Sequence, residues 1–219
     1  MQPFLCKNQQ LILHPSRVVF WEDTSSLIVS DLHFGKTGHF RKSGIAVPQN
    51  VYKEDLQRLV SLIQYFNPTQ LIIAGDLFHS HHNQELELFK KWRSDLSAID
   101  MHLIKGNHDI LHDQWYQETS ITVHEKCFET GPFLFCHDAA DRSSHINHSS
   151  LYSFTGHVHP GISIHGMGRQ SLRFPCFYFT ESYCVLPAFS RFTGTYSINP
   201  NKEENVFAIV DDAIIRMNG

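Results

Sequence analysis

Cysteine is scarce in this chain and follows no pairing pattern. Only five occur, Cys6, Cys127, Cys136, Cys176 and Cys184. The number is odd, and no two of them make a Cys-x-x-Cys. That argues against a disulfide framework and against a zinc knuckle. Buried free thiols in a reducing compartment are the expectation. Long apolar runs are lacking too. No eighteen-residue stretch could cross a membrane as a helix. Met1 to Lys7 lacks the basic start and long apolar core of a signal peptide. The cytoplasm is therefore the expected location, with no membrane contact. Excess positive charge is the third absence. The chain carries 18 Lys and Arg against 22 Asp and Glu, a formal net charge of −4. It has no global basic coat for nucleic acid. Divalent cations held in an acidic pocket would still reverse the charge locally.

What is abundant is histidine, with 16 residues. Histidine is the commonest metal ligand and the natural acid–base group near neutral pH. A length of 219 residues, 42% of them hydrophobic, suits one domain over residues 1–219 with a sizeable core. Leu11 to Phe20 and Leu27 to Ser30 read as two strands around the polar turn from Glu22 to Ser26. Val51, Leu56, Leu59, Val60, Ile63 and Phe66 recur at helical spacing, and Asn67-Pro68 ends that helix. Leu71 to Ala74 reads as a buried strand. Leu86, Phe89, Trp92 and Leu96 mark a second helix, and Met101 to Lys105 a further strand. This alternation implies parallel βαβ units. From about Ile121 the pattern becomes strand–turn–strand. The expected fold is α/β, a sandwich of mixed sheets flanked by helices, with an antiparallel C-terminal half.

Five polar segments each close an apolar run. They are Asp31-Leu32-His33, Gly75-Asp76, Gly106-Asn107-His108-Asp109, His137 and Gly156-His157-Val158-His159. In open α/β sheets the crevice beyond the carboxyl ends of strands is the usual ligand site. Glycine before three of these segments' ligands would let the backbone turn sharply. Together they offer enough oxygen and imidazole donors for two adjacent metal ions. Asp76 is read as the bridge. Asp31, His33 and His159 would complete one site, and Asn107, His137 and His157 the other. Carboxylate, amide and imidazole donors suit Mn²⁺, Fe²⁺ or Zn²⁺, with Mn²⁺ preferred here. Taken singly each segment is weak, since a lone Gly-Asp is commonly just a turn. The conjunction is what points to a metal centre.

In that order the segments resemble the calcineurin-like metallophosphoesterase superfamily, whose motifs run Asp-x-His, Gly-Asp, Gly-Asn-His-Asp/Glu, His and Gly-His-x-His. The fourth motif here is Cys136-His137-Asp138 instead of Gly-His, which leaves His145 and His148 as competitors for His137. A narrower resemblance spans nearly the whole chain. Ser30-Asp31-Leu32-His33-Phe34-Gly35-Lys36, Gly75-Asp76-Leu77-Phe78-His79-Ser80, Gly156-His157-Val158-His159-Pro160 and Leu186-Pro187-Ala188-Phe189 look like the small bacterial metallophosphoesterases associated with a DNA ligase and a helicase. That resemblance implies the family's αββα layering, a DNA-repair phosphodiesterase or nuclease, and ligase and helicase partners.

Phosphoester hydrolysis suits such a site. Two cations about 3.5–4 Å apart can clamp a phosphate and activate water, so no protein nucleophile is needed. His108 is the candidate general acid, being next to a ligand yet free to face substrate. Asp109 is either its orienting carboxylate or a helix N-cap. His79 is a candidate to fix a ligand. Lys36, Arg41 and Lys42 could hold a flanking phosphate, with Phe34 or Phe40 offering a face to a base. Arg191 is a further phosphate candidate. A phosphomonoesterase or nucleotide pyrophosphatase would use the same metal core. A non-catalytic scaffold on this fold would be expected to lack ligands or the acid histidine. The residues say nothing of oligomeric state.

Overall fold

The computed structural model describes residues 1–35, 51–79, 84–146, 149–166 and 170–217. Two sheets face each other. The first has seven strands in sequence order: β1 (Gln2–Cys6), β2 (Gln9–His14), β3 (Val18–Trp21), β4 (Ser26–Val29), β5 (Gln70–Ile73), β6 (Asp100–Ile104) and β7 (Ile121–His124). β1 to β4 run antiparallel, and β4 to β7 are parallel. Leu11 to Phe20 is therefore two strands and not one. The chain reverses at Pro15-Ser16-Arg17, where Arg17 takes φ 67° and its N–H donates to the His14 carbonyl.

The second sheet is built from β8 (Cys127–Thr130), β9 (Phe133–Cys136), β10 (Tyr152–Thr155), β11 (Pro160–His165), β12 (Ser171–Phe179), β13 (Tyr183–Val185) and β14 (Tyr196–Ser197). β15 (Asn205–Val210) and β16 (Ala213–Met217) extend it from β12. The expected antiparallel half is only partly so. β9, β10 and β13 are parallel neighbours. The carboxyl ends of β9 and β10, like those of β4, β5 and β6, carry the ligand segments.

Alternation along the strands explains the layers. Leu27 and Val29, Leu71 and Ile73, and Met101 and Leu103 meet α1 (Val51–Phe66), α2 (Gln84–Asp95) and α3 (Asp113–Glu118) through Leu59, Ile63, Phe89 and Tyr116. Ile28, Ile72 and Ile104 face the other way. They pack between the sheets on Phe133, Phe135, Phe154, Phe177, Phe179 and Phe207. Leu27-Ile28-Val29 and Leu71-Ile72-Ile73 are apolar at successive positions for this reason, being buried on both faces. The three described α-helices all lie on the outer face of the first sheet. On the outer face of the second, Cys176, Ile198 and Val206 form a small cluster. No helix among the described residues is long and apolar enough to cross a membrane.

Cysteine behaves differently from expectation. Cys127 on β8 lies opposite Cys136 on β9, and the two are joined as a disulfide with Cα atoms 4.4 Å apart. β8 does not read as a strand in the sequence, so this register was hidden. Disulfides are rare in a reducing cytoplasm, so cysteine usage no longer argues for that compartment. Cys6, Cys176 and Cys184 are buried free thiols. Thiol titration of the unfolded, unreduced chain should therefore count three thiols, rising to five after reduction. A count of five before reduction would show that the pair is not joined.

Candidate metal centre

The two sheets bring their parallel strand ends to one rim. β4 delivers Asp31 and His33, β5 Asp76, β6 Asn107, β9 His137, and β10 His157 and His159. Leu32 and Phe34 alternate with Asp31 and His33, Leu77 and Phe78 follow Asp76, and all four are at most 2% exposed, in the core beneath the helices. The non-ligand residues of the motifs are thus anchors. The two turns they anchor are zipped together. Asp31 N–H donates to Gly75 O at 3.0 Å, His33 N–H to Asp76 O at 2.9 Å and Phe34 N–H to Leu77 O at 2.9 Å.

The backbone here is strained. Asp31, His33, Asp76, His157 and His159 have φ of 53°, 49°, 51°, 66° and 51°. Left-handed non-glycine residues cost of order 1 kcal/mol each and cluster at functional sites. The reversed turn aims successive ligand side chains into one pocket. The glycines act in two ways. Gly75 itself takes φ 86°, and a Cβ on it would lie 2.0 Å from His137 Nδ1. Gly106 and Gly156 are not left-handed; they permit close approach, since a Cβ there would lie 2.3 Å from Asp76 Oδ1 and 2.5 Å from Asp31 Oδ2.

Two donor groups result. Asp31, His33 and His159 form one, and Asp76, His137 and His157 the other, each with its donor atoms within 4.8 Å of one another. His33 Nε2 and His159 Nε2 are 3.4 Å apart, and His137 Nε2 and His157 Nδ1 3.2 Å. Asp76 Oδ2 lies between the groups, 3.5 Å from His137 Nε2 and 4.0 Å from His33 Nδ1. Such a crowd of imidazole and carboxylate donors suits divalent cations. His137 Nδ1 is paired with the Ala74 carbonyl at 3.0 Å, which leaves Nε2 directed at the site.

Charge and burial are set against each other. Burial alone would raise the Asp31 carboxyl. The hydrogen bond from His159 and the fields of His159, His137 and His33 outweigh it and hold the group below the usual carboxylate range. Burial would lower His137, but Asp31 and Asp76 lift it above the ordinary histidine value.

The calcineurin-like phosphoesterase family model matches residues 25–170, about two thirds of the chain. The chain belongs to the calcineurin-like phosphoesterase family. It is a hydrolase of that family, with the family's mixed-sheet α/β fold, and the family uses a dinuclear metal centre. A Pseudomonas putida nuclease, MPE, is similar over 99% of both chains, at 27% identity and a TM-score of 0.82. A phosphoesterase from E. coli, Yfce, is 12% identical, covering 88% of this chain and 97% of its own, with a TM-score of 0.43. A protein of unknown function from Aquifex aeolicus is 18% identical over 61% of this chain and 78% of its own, at 0.45. None of the curated proteins matches this phosphoesterase.

The other predicted residues of the phosphoesterase fall in several places. Asn107 is exposed on the β6 turn, between Gly106, which closely approaches Asp76, and His108, whose N–H donates to Asp76 Oδ1 at 2.9 Å. The exposed His108 ring is centred 4.0 Å from that of His79 and 5.6 Å from that of His33. Asp109 does not orient that imidazole, nor does it cap a helix. It is 1% exposed and accepts from Gly106 N–H at 2.9 Å and Phe78 N–H at 3.1 Å, tying the β6 turn to the β5 turn. Burial pushes its carboxyl up to about 7, against those two donors. His112 caps α3 instead. His145, the competitor of His137, pairs with Glu129 at 3.3 Å. Lys36, Arg41, Lys42, Phe40 and His148 lie outside the described residues.

Sequence reasoning missed two supports of the site. Asp138 Oδ2 lies 3.9 Å from His157 Nε2, on the open side of the pocket. The segment after β13 also braces Asp31 from behind. Phe189 N–H donates to Ser30 O at 2.8 Å and Ser190 N–H to Asp31 O at 3.2 Å. The apolar run Leu186 to Phe189 was the signal for that brace.

Proposed function

We propose that this phosphoesterase is a metal-dependent phosphodiesterase that acts on DNA as a repair nuclease. The observation that carries the hydrolytic reading is Asp76, one carboxylate oxygen facing imidazoles of two donor groups. The likeness over 99% of both chains to a Pseudomonas putida nuclease supports the nucleic-acid substrate and the reading of residues 1–219 as one domain. Asp31, His33 and His159 would hold one ion, and Asn107, His137 and His157 the other, with Asp76 shared. Mn²⁺ is the proposed metal, with Fe²⁺ or Zn²⁺ compatible with the same donors. When bound, the ions supply a water-derived nucleophile and polarise the phosphoryl oxygens.

The chain's own residues do the rest. The histidines around Asp31 hold its carboxyl below the usual carboxylate range, so it stands as an anionic donor, and the zipped turns fix the geometry of the set. His108, held at its main-chain N–H by Asp76, presents an exposed imidazole beside the pocket and protonates the departing oxygen. Asp109 is a positioning residue, since it holds the turn that carries His108. Lys36, Arg41 and Lys42 belong to the proposal as phosphate contacts. A cytoplasmic setting belongs to the proposal, and a DNA ligase and a helicase as partners complete it on the resemblance alone.

Hydrolysis of bis-p-nitrophenyl phosphate against p-nitrophenyl phosphate, after stripping and reloading with Mn²⁺, tests the reading. Preference for the diester supports it. Preference for the monoester would make the protein a phosphatase. The His108 assignment has its own test. His108→Ala should slow diesters with alkoxide leaving groups by about 10²–10⁴-fold. It should slow bis-p-nitrophenyl phosphate much less, because p-nitrophenolate departs without a proton. Equal losses on both would remove His108 as the acid.

A further inference from the structure

Residues 190–196 form a shelf beside the pocket whose two ends hold the main chains of two candidate ligands. At one end Ser190 N–H donates to Asp31 O at 3.2 Å; at the other Tyr196 N–H donates to His159 O at 2.9 Å. Two arginines clamp the first end. Arg17 Nη1 donates to Ala188 O at 3.0 Å and Ser190 O at 2.9 Å, and Arg58 donates to Phe189 O. Asp55 pairs with Arg58 at 3.0 Å. The register of β3 on β4 puts Arg17 at the ligand end of the first sheet.

The shelf is also tied between its ends. Phe192 N–H donates to Ser190 Oγ at 3.3 Å, and Thr193 Oγ1 to Ser190 O at 3.0 Å. Arg173 holds the Thr195 carbonyl at 3.2 Å. A Cβ on Gly161 would lie 2.7 Å from the Thr195 side chain, so the shelf is pressed onto β11.

This braced segment displays groups that the hydrolytic site does not use. Arg191 is exposed, and its main chain is held against the buried Asp55 carboxylate. Tyr196 is 69% exposed and Phe192 39%. The cavity of about 420 Å³ behind Arg191 and Arg17 also contains Asp211 and Asp212. Its charges balance, so it is no anion site itself. A cation and exposed aromatic rings on a braced edge are the elements that hold single nucleotides, phosphate by charge and base by stacking.

We propose that this shelf seats the nucleotide next to the scissile phosphodiester, Arg191 taking its phosphate and Tyr196 its base. The proposal rests on the phosphodiesterase reading. The test compares a short oligodeoxythymidylate with bis-p-nitrophenyl phosphate, which has no neighbouring nucleotide. In Arg191→Ala and in Tyr196→Ala the ratio of the two kcat/KM values should fall about tenfold, through KM for the oligonucleotide. Tyr196→Phe should restore the ratio, since it keeps the stacking face.

A binding measurement stands apart from turnover. In a His108→Ala background with Mn²⁺, adding Arg191→Ala should reduce the salt slope of oligonucleotide binding by about one. An unchanged ratio, or Tyr196→Phe no better than alanine, would overturn the shelf. If the wild type cleaves no diester, the phosphodiesterase reading fails and the binding arm decides alone. Unchanged oligonucleotide affinity in both alanine variants would then overturn the proposal.

Discussion

Replacing Asp76 with asparagine is expected to reduce tightly bound metal from two ions to at most one and to slow hydrolysis by about 10³-fold or more. The reason lies in where its two oxygens sit. Oδ2 lies 3.5 Å from His137 Nε2 and 4.0 Å from His33 Nδ1, so one atom serves both donor groups. Oδ1 accepts the His108 N–H at 2.9 Å and so fixes the acid. The side chain is 3% exposed, which leaves little solvent to stand in for it. Asparagine keeps the volume but removes the charge and turns one acceptor into a donor, a mismatch in a buried site. Metal content after dialysis, and the rise in Tm on adding Mn²⁺, read the result without relying on turnover. Two retained ions with activity within about tenfold of wild type would remove Asp76 from between the groups.

The position of the centre was legible because buried parallel strands write themselves as short apolar runs. Leu27-Ile28-Val29 and Leu71-Ile72-Ile73 each end at a carboxylate, and the crevice rule places those ends together. The sequence reading also grouped Asp31, His33 and His159, and the structure brings these three together. What was not legible depends on contacts between distant segments. Nothing local announces that five ligand residues are left-handed; the turns of Asp31, His33 and Asp76 are held by the zipper between residues 31–34 and 75–79, and His157 and His159 by contacts of their own with distant segments. Cys127 and Cys136 are nine residues apart, and only the β8–β9 register makes them partners. Asp109 looked like an acid's companion because it follows His108. Its side chain turns inward to two amides, which sequence adjacency cannot show. Arg17 and Ser190 meet across 173 positions. Pattern reasoning sees periodicity and order; it does not see such pairs.

The strain in that zipper gives the second large effect. Gly75→Ala should destabilise the fold by roughly 2–5 kcal/mol and displace His137. Two costs combine. At φ 86° a Cβ costs about 1–2 kcal/mol in backbone strain. That Cβ would also sit 2.0 Å from His137 Nδ1, 2.4 Å from Cγ and 2.8 Å from Cβ, on a ring that is itself held by the Ala74 carbonyl. Overpacking a buried side chain of this kind costs about 1–3 kcal/mol more. His137 cannot yield without giving up either that carbonyl or its direction toward Asp76. The Tm should fall by roughly 5–15 °C for a chain of this length, and the Mn²⁺-dependent rise in Tm should shrink with it. Gly194→Ala is the control, because nothing lies within 4 Å of a Cβ there. Were Gly75→Ala as stable as Gly194→Ala, with the metal response intact, the packing of His137 against the β5 turn would be wrong. His137 would then lose its claim to the second donor group.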